Sequence, residues 1–337
     1  MTPAVDAHGA AQPPPGGWPA TFLVIAYRMR ETLPDAVRGA LSQTIPCEII
    51  VSDDSSGDGA LAAVRPLLHG YAGPHRVILR STARNLGLCP HFQELAELAS
   101  APIVFNSAGD DVSLPERVAE VLAEFAAHPQ AYIVGSSVDD IDAGGALLKA
   151  GVRGLPRRVA QEWLLARGRM ATILGASMAL RRELITEFPP LVGRVEDNML
   201  MLRGALIGEC RCLPQPLVRY RRHQANLGNW VFDRSEPGYA GWQRRQTRVA
   251  EMYQQVADDQ RRCVEARPDI LASRRDRGMR LQALYRLEAE QRLAMLGSSR
   301  RAWLGPLWQG LAMPGLRRKS AERALKLLLP RKWFGQG

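Results

Sequence analysis

The chain has 337 residues, 46% of them hydrophobic, with 44 basic against 34 acidic side chains and a formal net charge of +10. That length fits one large domain or two ordinary ones, and the apolar share excludes a disordered chain. No stretch approaches the roughly 18 uninterrupted apolar residues of a membrane span, so an integral membrane protein is not expected.

Residues 1–19 read as a flexible leader, without the basic n-region and apolar h-region of a secretory signal. TFLVIA (21–26) is a short apolar run of the kind that makes a buried strand. Leu33, Ala36, Val37, Ala40 and Leu41 recur at helical spacing, and Pro34 suits a helix start. CEIIVS (47–52) predicts a second strand ending in the turn DDSSGDG, followed by a helix over 61–68. RVILR (76–80), PIVFN (102–106) and AYIVGSS (131–137) predict three more strands, separated by helices over 91–99 and 115–128. Strands alternating with helices mean βαβ units and a mostly parallel sheet, whose ligands gather at the carboxyl ends of the strands. Beyond 138 the pattern is less regular: a turn-rich excursion, helices over 160–167 and 196–206, and an extended segment over 210–223. Residues 241–296 are helix-like and heavily charged.

The charge is unevenly placed. Residues 1–233 carry 22 basic and 24 acidic side chains, whereas 234–337 carry 22 and 10, a net of +12. Such a segment suits a polyanionic partner, and an anionic membrane surface is preferred because no nucleic-acid-binding signature accompanies it. Arginine outnumbers lysine 40 to 4, which reads as coding bias. The five cysteines, an odd count, argue against a disulfide framework and for a reducing compartment. Cys210 and Cys212 lack further ligands for zinc and read as buried thiols.

Three loops carry paired acids. Asp53 and Asp58 serve equally well as turn-forming caps or ligand contacts, whereas Asp54 is favoured for ligand contact. Asp110 and Asp111 follow Gly109 and offer hard oxygen ligands for Mg²⁺ or Mn²⁺, although paired aspartates before a helix are also common caps. Glu196-Asp197 opens a helix, where capping competes with a role as general base. His223 reads as a metal ligand, a proton carrier or neither.

The order of these signals is more specific than any one of them. Strand–YR, strand–DDSSGD, N-L-G, strand–AGDDVSLP, G-A-S-M-A-L-R-R, V-E-D and Y-R-R-H together resemble the family 2 glycosyltransferases over roughly residues 20–225. The resemblance implies an α/β GT-A fold, a Rossmann-like, mostly parallel central sheet flanked by helices, here with a helical C-terminal extension. It implies domains at 20–232 and 233–337 and an inverting transfer from a nucleotide-diphosphate sugar to a hydroxyl. Ala26, Tyr27, Asp54, Asn85 and Gly87 would hold the nucleoside; Asp110, Asp111 and His223 the divalent cation. Asp197 would be the catalytic base and Glu196 its support.

Three positions depart from the family pattern. Arg28 stands where Asn is usual, and Ala108 replaces the first aspartate of the D-x-D motif. Ser55 replaces a glycine, tolerable in a turn that does not require positive φ. The expected setting is surface polysaccharide or glycolipid assembly on a saccharide or lipid-linked acceptor. The enzyme would be cytoplasmic and peripheral at the inner face of the membrane, and the 241–296 helices offer a surface for pairing subunits. The rival readings are a nucleotidyltransferase acting on sugar phosphates, which usually has a glycine-rich first loop, and an inactive protein of the same fold.

Overall fold

The computed structural model describes residues 5–8, 12–152, 154–223, 226 and 236–334. Two compact units result: Met1–Val159 with Thr172–His223, and Ala160–Ala171 with Gln224–Gly337. The division after His223 lies ahead of the expected boundary at 232, and the segment 160–171 joins the C-terminal unit.

The first unit is built on one sheet. Its strands are β1 (Val5–His8), β2 (Ala20–Ala26), β3 (Glu48–Asp53), β4 (Arg76–Ser81), β5 (Ile103–Ala108), β6 (Val112–Ser113), β7 (Ala131–Ile141), β8 (Leu147–Val152), β9 (Arg158–Val159), β10 (Ala179–Arg181) and β11 (Glu209–Arg221). The main path runs β1-β4-β3-β2-β5-β10-β7-β11-β6. Strands β4, β3, β2 and β5 are mutually parallel, as are β7 and β11. Short β10 runs antiparallel between β5 and β7. All seven residues of β2 and all six of β3 are buried, as continuous apolar runs covered on both faces should be.

Helices α1 (Leu33–Leu41), α2 (Ala60–Leu68), α3 (Leu88–Leu98), α4 (Arg117–Ala127), α6 (Glu183–Thr186) and α7 (Asp197–Ile207) belong to this unit; α5 (Gln161–Arg167) belongs to the other. One core joins Phe22 and Val24 of β2, Ile49 and Val51 of β3, Leu33 and Val37 of α1, and Val118 and Val121 of α4. Helix α7 is apolar nearly all round, with Met199, Leu200, Met201, Leu202, Ala205 and Leu206 all buried, as in a helix enclosed by its own domain.

The structure adds elements to the sequence reading. The expected leader contains β1, which pairs antiparallel with β4 and covers the backbone groups of that edge. The turn-rich excursion is a hairpin of β7 and β8, closed where Ala146 O accepts from the Asp142 amide. All five cysteines are buried and outside any disulfide, the state predicted for Cys210 and Cys212.

The C-terminal unit contains the long helices α8 (Gly238–Ala266) and α9 (Ala272–Leu296), then α10 (Leu304–Ala312) and α11 (Arg317–Leu325). Trp242, Met295, Trp303, Leu307 and Phe334 form its aromatic core. Beside it the buried Glu288 accepts from Arg323, Arg292 and Lys319 at 2.6, 2.8 and 3.3 Å. Among the described residues no helix is long and apolar enough to cross a membrane.

Candidate active site

The carboxyl ends of β2, β3 and β5 lie side by side, so the loops after Ala26, Asp53 and Ala108 are neighbours. Backbone bonds tie them together: the Asp54 amide donates to Ala26 O at 2.8 Å, and the Gly109 amide to Ile25 O at 2.8 Å. A Cβ on Gly109 would press on Met29, Ala26 and Leu33 at 3.0–3.1 Å, so this turn needs glycine for close approach.

The structure gives Asp54 a defined task. Its Oδ1 accepts from Thr82 Oγ1 at 3.0 Å and from the Leu86 amide at 2.9 Å, and its Oδ2 accepts from the Gly87 amide at 2.8 Å. Asn85 Nδ2 donates to Asp54 O at 3.1 Å. Asp54 therefore shapes the Asn85–Gly87 loop, and its two carboxylate oxygens have about four acceptor positions of which these bonds take three. Tyr27 is exposed beside this loop system, with the Arg28 guanidinium 5.2 Å over its ring.

Asp53 and Asp58 both make the turn-forming bonds that capping requires. Asp53 accepts from the Ser56 amide at 2.9 Å, while Asp58 accepts from the Ala60 amide at 2.9 Å and the Arg30 amide at 3.1 Å. Hydrogen bonds hold the Asp58 carboxyl below its usual range despite the opposing effect of desolvation. Ser55 corrects an expectation: its φ is 56°, in the left-handed region. The turn does require positive φ, and the family's glycine would meet it without strain. Arg28, at φ 57°, is the other non-glycine residue with positive φ among the described residues, at a position where the family's Asn adapts more readily.

The loop after β5 brings Asp110 to His223, whose Nε2 lies 2.8 Å from Asp110 Oδ2. Arg221, at the end of β11, organises this corner. Its Nε donates to Asp110 O at 2.8 Å, its Nη1 to Ala143 O at 2.7 Å, and its amide to Asp111 Oδ1 at 2.8 Å. Asp111 is fully buried, and among the described residues its Oδ2 has no hydrogen-bond partner. Burial, then the Asp110 charge, raise its pKa well above the ordinary value, while Arg117 and Arg221 oppose the rise. Among the described residues no group of three or more His, Cys, Asp or Glu is arranged to hold a metal.

Arg117 is a residue that sequence reading missed. It is wholly buried, its guanidinium lies 5.3 Å from the Phe22 ring centre and 5.6 Å from that of Phe105, and burial pushes its pKa down to about 9. Its Nη2 donates to Asn106 O at 2.8 Å and its Nη1 to Ser113 Oγ at 2.8 Å. Asn106 in turn donates through Nδ2 to Glu196 Oε1 at 3.0 Å. An Asn near the end of an apolar strand run was the available signal.

Strand β5 therefore leads into the loop that carries Asp110 and, through Asn106, holds the Glu196-Asp197 pair. Asp197 Oδ1 accepts from the Asn198 amide at 2.6 Å. Burial raises the Glu196 carboxyl above its usual range; burial, then the neighbouring Glu196, push Asp197 up to about 8. A Cβ on Gly175 would sit 2.7 Å from Glu196 Oε1, so that glycine makes room for the pair.

With this geometry in place, the profile of Glycosyl transferase family 2 matches residues 21–188, the stretch that builds the sheet through β10. The chain carries a family 2 glycosyltransferase domain. The uncharacterized protein Rv1520 of Mycobacterium tuberculosis is 26% identical over 216 residues, covering 63% of this chain. The chain spans 61% of that protein's length. The putative glycosyltransferase EpsE of Bacillus subtilis is 27% identical over 143 residues, covering 42% of this chain and 49% of its own. Residues 1–349 of S. aureus TarS, solved with UDP-GlcNAc, superpose with a TM-score of 0.52 at 14% identity, covering 91% of each chain. The fold of this glycosyltransferase domain is GT-A.

Proposed function

We propose that the protein transfers a sugar from a nucleotide-diphosphate donor to a hydroxyl acceptor with inversion. The observation that carries this reading is the convergence on β5: Asp110 meets His223 just beyond the strand, and Asn106 within it anchors Glu196 beside Asp197.

A divalent cation fits Asp110 and His223. They supply one hard carboxylate oxygen and one imidazole nitrogen side by side, and Mg²⁺ or Mn²⁺ ordinarily takes few protein ligands and fills its shell with phosphate and water. When bound, the ion supplies stabilisation of the charge that develops on the departing diphosphate. Asp111 backs this corner through the Arg221 amide. Ala26, Tyr27, Asn85 and Gly87 form the nucleoside side of the cleft, with Asp54 holding the loop in shape. Asp197 takes the proton from the acceptor hydroxyl as its oxygen attacks the anomeric carbon, and Glu196, fixed by Asn106, sets the position of that base. The raised Asp197 pKa suits a group that must gain a proton near neutral pH. The acceptor is a saccharide or lipid-linked hydroxyl in surface polysaccharide or glycolipid assembly, reached from the cytoplasmic face of an anionic membrane.

The test is thermal unfolding with UDP, GDP, dTDP and CMP, each with and without Mn²⁺. Ligand at 100 times its dissociation constant adds about 2.7 kcal/mol. Stabilisation by one nucleoside diphosphate that requires the metal supports the reading. No shift with any nucleotide removes it.

A further inference from the structure

The C-terminal unit leaves large apolar side chains in water after completing its own core. Trp303, Leu307 and Phe334 are buried, yet Trp308 is 75% exposed, Leu328 82%, Leu325 65%, Leu304 56% and Trp333 53%. Helix α10 contains no charged side chain. Leu307 and Gly310 face inward, while Leu304 and Trp308, four residues apart, share the outward face. Two further contacts join the 325–333 segment to the start of this block: Arg300 Nη2 donates to Leu329 O at 2.6 Å, and Arg331 Nη2 to Ser298 O at 2.9 Å. The exposed leucines and tryptophans therefore belong to one folded block.

Basic residues rim that block. Beyond residue 297 the chain has nine basic side chains and one acid, Glu322, which pairs with Arg318 at 3.0 Å. Seven of the nine have partners inside the unit: Arg323 and Lys319 on Glu288, Arg318 on Glu322, Arg300, Arg317 and Arg331 on backbone carbonyls, and Lys326 over the Trp242 and Phe334 rings. Arg301, Arg317 and Arg318 are nevertheless solvent-exposed, on either side of the uncharged α10, where the contacts of Arg317 to Leu311 O and of Arg318 to Glu322 leave the guanidinium faces open to water.

From this we infer that the Leu304–Trp308 face of α10, together with Leu325, Leu328 and Trp333, is a membrane-docking surface that lies in the interface of an anionic phospholipid leaflet. Tryptophan and leucine enter the headgroup boundary while flanking arginines meet lipid phosphates. A second copy of this chain is a poorer occupant, because it would bring two arginine rims of like charge together. The inference rests on the membrane-proximal setting proposed above, but lipid binding is measured without donor or acceptor, so either idea can fail alone.

The test is co-sedimentation of the full chain with phosphatidylglycerol vesicles and with phosphatidylcholine vesicles. Binding to the first, weakened by salt and much reduced for the second, is expected. Trp308→Ser with Trp333→Ser should lower binding at least about tenfold with an unchanged far-ultraviolet spectrum. Arg301→Glu with Arg318→Glu should remove the preference for the anionic lipid. Equal binding to both vesicle types, or none to either, overturns the inference. So does a dimer in sedimentation velocity that Trp308→Ser dissociates while wild type ignores both vesicles.

Discussion

His223 Nε2 lies 2.8 Å from Asp110 Oδ2, although 113 positions separate the two residues. The contact closes the first unit on itself, joining the loop after β5 to the end of β11. Asp110→Asn should weaken metal-dependent nucleotide binding on the order of 100-fold, and His223→Ala by less. Titration calorimetry with the preferred nucleoside diphosphate and Mn²⁺ checks both. Unchanged affinity in Asp110→Asn would remove the metal site from this position.

Asp111, by contrast, should matter for folding and little for the metal. It is fully buried beside the charges of Arg117 and Arg221 and accepts from the Arg221 amide. Leaving the buried Arg221 amide without its acceptor typically costs about 1–3 kcal/mol. Urea denaturation of Asp111→Ala should show a loss of that order, with Mn²⁺ affinity preserved in the folded fraction. Full stability with lost metal affinity would make Asp111 a ligand.

The Asp197 pKa of about 8 predicts opposite pH dependences for activity and stability. As a base, Asp197 works when deprotonated, so kcat/KM should rise with pH and level off above about 8. Its raised folded-state pKa favours the protonated form of the native protein. The associated stability is therefore present at low pH and lost as pH rises through about 8. Asp197→Asn should flatten both profiles and lower turnover on the order of 10²–10⁴-fold. A retained pH slope in that variant would place the base elsewhere.

Ser55 at φ 56° is strained where glycine would be relaxed. Ser55→Gly should raise the unfolding free energy by up to about 1 kcal/mol, the left-handed penalty less the entropy that glycine adds to the unfolded chain. Calorimetric melting measures it, and a clear loss of stability would contradict the assigned turn.

In the C-terminal unit, Glu288 is held down to about 2, as Arg323, Arg292 and Lys319 outweigh its burial. A depressed carboxyl contributes stability above its ordinary value near 4.5, and loses it as pH falls toward 2. Glu288→Gln should cost about 3–5 kcal/mol near neutral pH by leaving the Arg323 charge uncompensated. Chemical denaturation at pH 7 should show this loss, and a neutral substitution would mean that Arg323 finds other partners.

Apolar periodicity located β2, β3, β4, β5 and β7 and the helices between them, because buried parallel strands and amphipathic helices write their environment into local sequence. Three-residue β10 and two-residue β6 and β9 left no such trace; pairing with long neighbours makes them strands. The order of acidic motifs pointed to the family and to a candidate site. It could not distinguish Asp110 from Asp111, which are adjacent in sequence but take different partners, His223 and the Arg221 amide. That difference arises from Arg221 and Arg117, one 110 residues away on β11 and the other buried between two phenylalanine rings. Likewise, the basic composition of the tail was visible at once, but folding decided which arginines were consumed by Glu288 and carbonyls and which tryptophans remained outside. Hydrophobic pattern is a property of neighbours along the chain. Charge pairing and burial are properties of neighbours in space, so only the tertiary structure could assign them.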